Sequence, residues 1–205
     1  MLTIATLHYK GGVGGTLLAM NLAGEACRRG YKARVLDYAH NKCALDWKNQ
    51  RESEWPEIQL PVVNPLIEIR RAEQDGIDVL IFDTDRKSAA TAQDADIVVV
   101  PGRATGTHET GPLFECVEVV VGSRVPVLPV LNKVENPDDE RVQFAMATLD
   151  NSPLATLPAM IVGRSREMDE AEDHWKAVQE MYPDSQAADE IRALFDTLIA
   201  RSSRD

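Results

Sequence analysis

The sequence predicts an α/β fold: a single doubly wound, mainly parallel sheet with helices on both faces. Short runs of β-branched and apolar residues alternate with longer segments of helical periodicity, the order that produces βα units. These runs are apolar throughout instead of alternating with polar residues, as expected for strands that are covered on both faces. They include LTIATL (2–7), ARVLD (33–37), DVLIFD (78–83), DIVVVP (96–101) and VPVLPVLN (125–132).

The helical segments complete the pattern. Leu18, Leu22 and Ala26 recur at four-residue spacing, which predicts a helix from about Thr16 to Arg29. A less regular region follows, with helix-like LDWKNQ (45–50), apolar QLPVV (59–63) and a short helix near PLIEIRRAEQ (65–74). Later helices are predicted at 107–121, 137–149, 166–181 and 186–200, with a last strand at LPAMIV (157–162). Because no repeat or linker interrupts the series, we expect one domain over residues 1–205.

Composition argues against several classes of protein. The 22 Lys and Arg against 33 Asp and Glu give a formal net charge of −11, unfavourable for a dedicated nucleic-acid binder. No apolar stretch approaches the ~20 residues that span a bilayer. The three cysteines are widely spaced, and the four histidines lack metal-ligand spacing, which indicates inert thiols and no zinc site. We therefore expect a cytoplasmic protein with no membrane partner.

A glycine-rich segment, KGGVGGT (10–16), directly follows the first predicted strand. Gly11, Gly12 and Gly14 have no Cβ, so backbone N–H groups can curl around a phosphate at the start of the next helix. Thr16 stands where its hydroxyl can reach Mg²⁺. A structural turn without a ligand is the alternative at this point.

Two acidic residues end neighbouring predicted strands, Asp37 after VL and Asp83 after VLIF. The carboxyl ends of parallel strands lie at one edge of a sheet, so both side chains are expected near the glycine loop. Such acids suit Mg²⁺ coordination through water, although aspartates also cap helices.

The order of these segments resembles the ParA/MinD superfamily of partition and positioning ATPases. KGGVGGT is similar to its KGGxGK[ST] loop, the deviant Walker A motif, and VLDYAHNKCALDW stands at its D-x-D segment. GIDVLIFDTD stands at Walker B, and ADIVVVP, VLNKV, LPAMIVGRS and AADEIRALFDTLI resemble later landmarks. The resemblance covers essentially the whole chain and is strongest to the small plasmid-type ParA proteins.

The resemblance implies ATP or ADP with Mg²⁺, a nucleotide-dependent homodimer, and a small ParB-like or other adaptor partner. It implies that Lys10 reaches the phosphates of the partner subunit and that Asp83 is the Walker B acid. Non-specific DNA binding is also implied, but the net charge does not favour it. The implied nucleotide contacts are Lys10, Gly11, Gly12, Val13, Gly14, Gly15, Thr16, Asn132 and Pro158; the implied metal residues are Thr16, Asp37 and Asp83; the implied catalytic residues are Lys10, Asp37 and Asp83.

Two departures from the family pattern affect chemistry. Gly15 stands where the family has the Walker lysine, and Ala39 stands where it has the second aspartate of D-x-D. Phosphoryl transfer depends on positioning and charge stabilisation, so hydrolysis should fall on the order of 10³-fold or more. We therefore expect weak or lost ATP hydrolysis with nucleotide binding retained.

Several residues are candidates to replace the missing groups, although a solvated loop charge is the simpler interpretation of each: Lys10, Lys42, Asp85, Arg86 and Lys87. The main alternative function is a non-catalytic protein-interaction module that keeps the fold without nucleotide. A small-molecule kinase-like enzyme is a third hypothesis, disfavoured by the loss of the lysine.

Overall fold

Seven parallel strands form one sheet in the computed structural model, which describes residues 1–53, 56–104, 107–121, 125–152 and 157–202. The strand order is β3-β2-β4-β1-β5-β6-β7. The strands are β1 (Leu2–His8), β2 (Ala33–Asp37), β3 (Glu57–Gln59), β4 (Val79–Asp85), β5 (Ile97–Gly102), β6 (Val127–Val134) and β7 (Met160–Gly163). The predicted fold class is confirmed.

Helices connect the strands and cover the sheet. They are α1 (Gly15–Arg28), α2 (Cys43–Gln50), α3 (Pro65–Gln74), α4 (Thr107–Val121), α5 (Glu140–Asp150), α6 (Arg166–Asp173), α7 (Val178–Met181) and α8 (Gln186–Ser202), with a 3-10 helix at Arg86–Asp94. The single helix predicted over 166–181 is wrong. Trp175 adopts a left-handed backbone conformation with φ of 56°, which ends one helix and separates α6 from α7.

Two other predicted boundaries also shift. β3 ends at Gln59, so most of the QLPVV run lies outside the sheet; Pro61 within it has no N–H to donate to a neighbouring strand. α1 begins at Gly15, one residue earlier than predicted, so that Thr16 lies inside its first turn.

The sheet is covered by apolar side chains on both faces. On one face Ile4 of β1 packs in a core with Leu18 and Leu22 of α1 and Phe195 of α8. On the other face Leu7 of β1 lies in a second core, with α4 residues such as Val117. Successive side chains of a strand point to opposite faces, so uninterrupted apolar strands supply both cores at once.

The order of the strands in the sheet places a crevice at the carboxyl end of β1. The strands β2, β3 and β4 lie on one side of β1, and β5, β6 and β7 lie on the other. In open α/β sheets ligands bind at such a switch point, beyond the carboxyl ends of the strands. The glycine loop leaves β1 at this point. No helix in the described ranges is long and apolar enough to cross a membrane.

Candidate functional site

The glycine loop connects β1 to α1 with its backbone exposed towards the crevice. Gly12 and Gly14 have φ of 79° and 88°, a left-handed conformation that glycine adopts without strain. No heavy atom lies within 4 Å of a Cβ built on Gly11 or Gly12, so this side of the loop is open. α1 begins after Gly14 with no side-chain cap and no acidic residue in its first turn. Its first N–H groups are therefore placed to meet an anion.

Thr16 contacts the end of β4 directly. Its Oγ1 donates a hydrogen bond to Asp83 Oδ2 at 2.7 Å, while Thr6 Oγ1 lies 3.3 Å from Asp83 Oδ1. Asp83 is fully buried. Burial, with the nearby charge of Asp37 adding to it, raises the pKa of the Asp83 carboxyl to about 7 despite the hydrogen bonds from the two threonines.

A second buried carboxylate lies beside Asp83. Asp37 ends β2 and is the register partner of Asp83 on β4. Its Oδ2 accepts a hydrogen bond from the Leu45 N–H at 3.1 Å, but its buried Oδ1 has no partner among the described residues. Burial raises the pKa of the Asp37 carboxyl. Two adjacent buried carboxylates and a threonine hydroxyl form a set of hard oxygen ligands that suits Mg²⁺.

This oxygen set has few protein ligands. The described residues contain no group of three or more His, Cys, Asp or Glu side chains that could hold a metal ion. A Mg²⁺ ion at this place would thus depend on the Thr16 hydroxyl, on water and on ligand oxygens, as Mg²⁺ sites with phosphate substrates commonly do.

Position 15 is closed to any side chain by His8. A Cβ built on Gly15 would lie 2.2 Å from His8 Nδ1 and 2.9 Å from its Cγ. The ring therefore fills the space into which a lysine at this position would have to extend. Burial lowers the pKa of the His8 imidazole, against the opposing effects of Asp85 and the Thr84 backbone. The ring is accordingly a neutral group at neutral pH.

Asp85 has a structural role at the start of the 3-10 helix. It accepts hydrogen bonds from the backbone N–H groups of Lys87 at 2.9 Å, Ser88 at 3.2 Å and His40 at 2.6 Å. Although its partial burial acts the other way, these bonds lower the pKa of the Asp85 carboxyl. The carboxylate is thus engaged as a helix cap, and Ala39 before His40 is fully buried.

The other candidate replacement cations lie in different places. Lys42 donates from Nζ to the backbone oxygen of Asp37 at 2.9 Å. The guanidinium of Arg86 lies 5.3 Å from the ring centroid of Tyr9, a cation–π distance. Lys87 is exposed. None of these three lines the cleft beside the loop.

The end of β6 closes the other side of the loop. Asn132, which is buried, donates from Nδ2 to the Val13 carbonyl at 2.8 Å and lies against the Cα of Gly14. The structure thus gives Asn132 a contact with the loop, while its contact with adenine stays a prediction. So does that of Pro158, which is exposed just before β7 and does not line the cleft.

Lys133, like His8, is a residue at this site that the sequence reasoning missed. Its Cε lies 3.5 Å from a Cβ built on Gly14, and it lines the cleft. The signal was a cationic residue at the carboxyl end of a predicted strand, inside the VLNKV segment already noted.

A cleft of about 450 Å³ opens over the loop. Its floor is the loop and the first turn of α1, and its walls come from the start of α2, the end of β6 and the end of α6. The lining residues include His8, Gly11, Gly12, Gly14, Gly15, Thr16, Asn41, Asp46, Trp47, Lys133, Glu172 and Trp175. Nucleotide-sized clefts of this kind commonly have a few polar groups that converge on one point.

Comparison with known proteins gives structural matches only. No protein-family model and no curated protein matches the sequence. Among solved structures, apo McdA from Cyanothece aligns with a TM-score of 0.74 at 16% identity, over 97% of this chain and 99% of that chain. The cell division ATPase MinD from Pyrococcus furiosus aligns with a TM-score of 0.70 at 14% identity, over 97% and 98%.

A putative plasmid partition protein from Borrelia burgdorferi bound to AMPPNP also matches, with a TM-score of 0.62 at 13% identity. The alignment covers 100% of this chain and 99% of that chain. At such identities the likeness concerns the fold and not the activity. The chain has the P-loop fold of the ParA/MinD superfamily.

Proposed function

We propose that this protein is a ParA/MinD-type partition or cargo-positioning protein that binds ATP or ADP with Mg²⁺. Nucleotide binding makes it a dimer, and ATP hydrolysis is weak or absent. The observation that carries the proposal is the 2.7 Å hydrogen bond from Thr16 to the buried Asp83, directly beside an open glycine loop.

The residues present fit a magnesium nucleotide. The loop backbone from Gly11 to Thr16 would hold the phosphates, and Thr16 would bind the metal, supported by Asp37 and Asp83. The unpartnered Oδ1 of Asp37 is a buried acceptor that a metal-bound water can satisfy. Structural neighbours include a MinD in complex with Mg-ADP from Pyrococcus horikoshii. In such sites the metal neutralises phosphate charge.

Weak hydrolysis follows from the same geometry. Gly15 offers no cation, and His8 is neutral in the space beside it. Ala39 offers no acid to orient water, and Asp85 is already engaged by three backbone N–H groups. A transition state that gains charge on the phosphoryl oxygens therefore receives little stabilisation from these positions.

The partner is proposed to be a second copy of the chain and a small adaptor protein. By the family resemblance, Lys10 of one subunit would contact the phosphates of the nucleotide bound to the other subunit. One structural neighbour is a MinC:MinD complex from Aquifex aeolicus, which shows that a protein of this fold binds a protein partner.

DNA binding has weaker support. Three arginines that are candidates for phosphate contact are paired with carboxylates: Arg164 with Glu135 and Asp169, Arg166 with Glu170, and Arg192 with Asp189. The acidic side chains beside these arginines would repel a phosphate backbone, which lowers the expected gain from binding it. Arg204, a further candidate, lies outside the described residues.

The alternative is a non-catalytic interaction module that has kept this fold without its ligand. The same fold also occurs in a cobyrinic acid a,c-diamide synthase from Mycobacterium smegmatis with bound ADP and magnesium, so the fold alone does not choose the function. Nucleotide-dependent association separates the hypotheses, because a module without a ligand has no reason to change its oligomeric state.

The test is light scattering of the purified chain with Mg·ATP, with Mg·ADP and without nucleotide, while phosphate release is followed in parallel. We expect a dimer with Mg·ATP and little release. Clear turnover would contradict weak hydrolysis but would still agree with nucleotide-dependent dimerisation. Absence of both binding and association would overturn the proposal in favour of the interaction module.

A further inference from the structure

We propose that Lys133, at the end of β6, supplies the phosphate-facing cation that position 15 of the loop lacks. This inference rests on the proposed nucleotide site and identifies one positive charge within it. The group that Lys133 would contact is the phosphate chain of a magnesium nucleotide.

The backbone aims Lys133 at the loop. Its φ is 57°, a left-handed conformation that is unfavourable for a side chain longer than that of asparagine. The pairing of β6 with β7 shifts register between Asn132 and Val134, so that Lys133 lies at an irregularity of the sheet. Such irregularities re-aim side chains near functional sites, and strained residues there persist because their surroundings hold them.

The neighbouring residue fixes this segment to the loop. Asn132 Nδ2 donates a hydrogen bond to the Val13 carbonyl at 2.8 Å, which joins the end of β6 to the glycine loop. The Lys133 side chain passes over Gly14, with its Cε 3.5 Å from the position of a Cβ there. A Cβ on Gly14 would lie 2.2 Å from Asn132 Nδ2, so the glycine is what lets the end of β6 approach the loop this closely.

Charge in the cleft points to the same residue. Among the described residues that line the cleft, Lys133 alone is a lysine or arginine, whereas Asp46, Glu172 and Asp173 are acidic. A phosphate entering this cleft meets an excess of negative charge unless Mg²⁺ and a cation compensate it. Lys133 is the cation in place to do so.

The present partner of Lys133 can be exchanged. Its Nζ lies 3.5 Å from Glu172 Oε2, and both side chains are partly exposed at 22% and 41%. Ion pairs of this kind contribute little, since water and salt screen them. The ammonium group of Lys133 can therefore exchange the Glu172 carboxylate for a phosphate oxygen at little cost.

The experiment compares Mg·ADP binding by calorimetry for the wild type, Lys133→Gly, Lys133→Arg and Lys48→Ala, each at several salt concentrations. Glycine adopts the left-handed conformation freely, so Lys133→Gly should melt at the same temperature as the wild type or higher. We expect its Kd for ADP to rise about 10-fold, with a flatter dependence on salt because one charge contact is lost. Lys133→Arg should stay within about 3-fold of the wild type.

Lys48 is exposed on α2 and does not line the cleft, so Lys48→Ala controls for the change in net charge. Wild-type affinity in Lys133→Gly would overturn the inference while leaving the proposed function intact. Weakened binding with an unchanged salt dependence would assign the lysine to the base or ribose and would also overturn it. If the wild type binds no ADP, the proposed function fails, and this inference fails with it.

Discussion

The two strand ends that flank the glycine loop differ in what they offer to a ligand. At the end of β4, Asp83 receives a hydrogen bond from Thr16 and lies beside Asp37, so that three oxygen-bearing side chains meet there. At the end of β1, the ring of His8 occupies the space of a side chain at Gly15. We call the first the metal end, after the Mg²⁺ proposed for it, and the second the closed end, because the His8 ring fills the space beside Gly15.

At the closed end, the residue at position 15 and the ring of His8 depend on each other. A glycine there is compatible with the His8 ring, and any larger residue is not. The metal end has no such obstruction. Its two buried acids destabilise the fold when they are ionised and no cation compensates them. Two buried carboxyls with raised pKa values beside an open loop favour a functional site over a purely structural turn.

The largest effect is expected from Asp83→Asn, and it depends on pH. Burial raises the pKa of this carboxyl to about 7 in the folded protein, from the ordinary value of 3.8 for an aspartate. Because the folded pKa is raised, the native state binds the extra proton between these values, and wild-type stability falls as pH rises from about 4 to about 7. Because asparagine does not ionise, Asp83→Asn avoids this loss of stability. Its free energy of unfolding at pH 8 should exceed that of the wild type by up to about 4 kcal/mol.

Urea unfolding at pH 5 and pH 8 measures this effect. The advantage of Asp83→Asn should be clearly smaller at pH 5, and Asp138→Asn, at an exposed position, controls for the change in net charge. An equal difference at both pH values would show that the Asp83 carboxyl is not held in its neutral form by burial.

The next effect concerns the closed end. Gly15→Lys alone should lower the free energy of unfolding by about 1–3 kcal/mol, because the new Cβ meets a buried ring at 2.2 Å. It should not strengthen binding of Mg·ADP. Combined with His8→Ala, the same lysine has room, and binding should become tighter than in either single variant.

A double-mutant cycle on stability and ADP affinity tests this coupling. If Gly15→Lys is as stable as the wild type and binds ADP more tightly without any change at position 8, the His8 ring does not close this position.

A smaller effect is expected at the metal end from Thr16→Ala. Removal of the hydroxyl should weaken Mg²⁺-dependent ADP binding about 10–100-fold, the usual range for a residue that supports a metal site. Binding measured in EDTA should change little. Thr197→Ala, half-buried on α8 and away from the cleft, is a matched control because it also loses a threonine hydroxyl. Equal losses with and without Mg²⁺ would mean that Thr16 supports the loop and not a metal.

Much of this comparison could be predicted from the sequence. Unbroken apolar strands predict a parallel sheet, and the parallel register then brings Asp37, Asp83 and the glycine loop to one edge. The structure agrees with this expectation through the pairing of Asp37 with Asp83 and the bond from Thr16. What the sequence could show here depends on strand direction, which the unbroken apolar strands indicate.

The closed end could not be predicted in the same way. The contact of His8 with Gly15 depends on a side-chain rotamer, and the approach of Lys133 depends on a left-handed residue at a register shift. The break between α6 and α7 at Trp175 has the same origin, since non-glycine residues with positive φ carry no reliable sequence signal. Such local features come from tertiary packing and not from periodicity.

The most direct test of the account is calorimetric titration of ADP into the wild-type chain, in Mg²⁺ and in EDTA. We expect saturable binding in Mg²⁺ that weakens at least about 10-fold in EDTA, because Thr16, Asp37 and Asp83 are in place although position 15 is closed. Absence of binding in both conditions would contradict the account. It would show that Thr16, Asp37 and Asp83 are remnants of a site that this protein no longer uses.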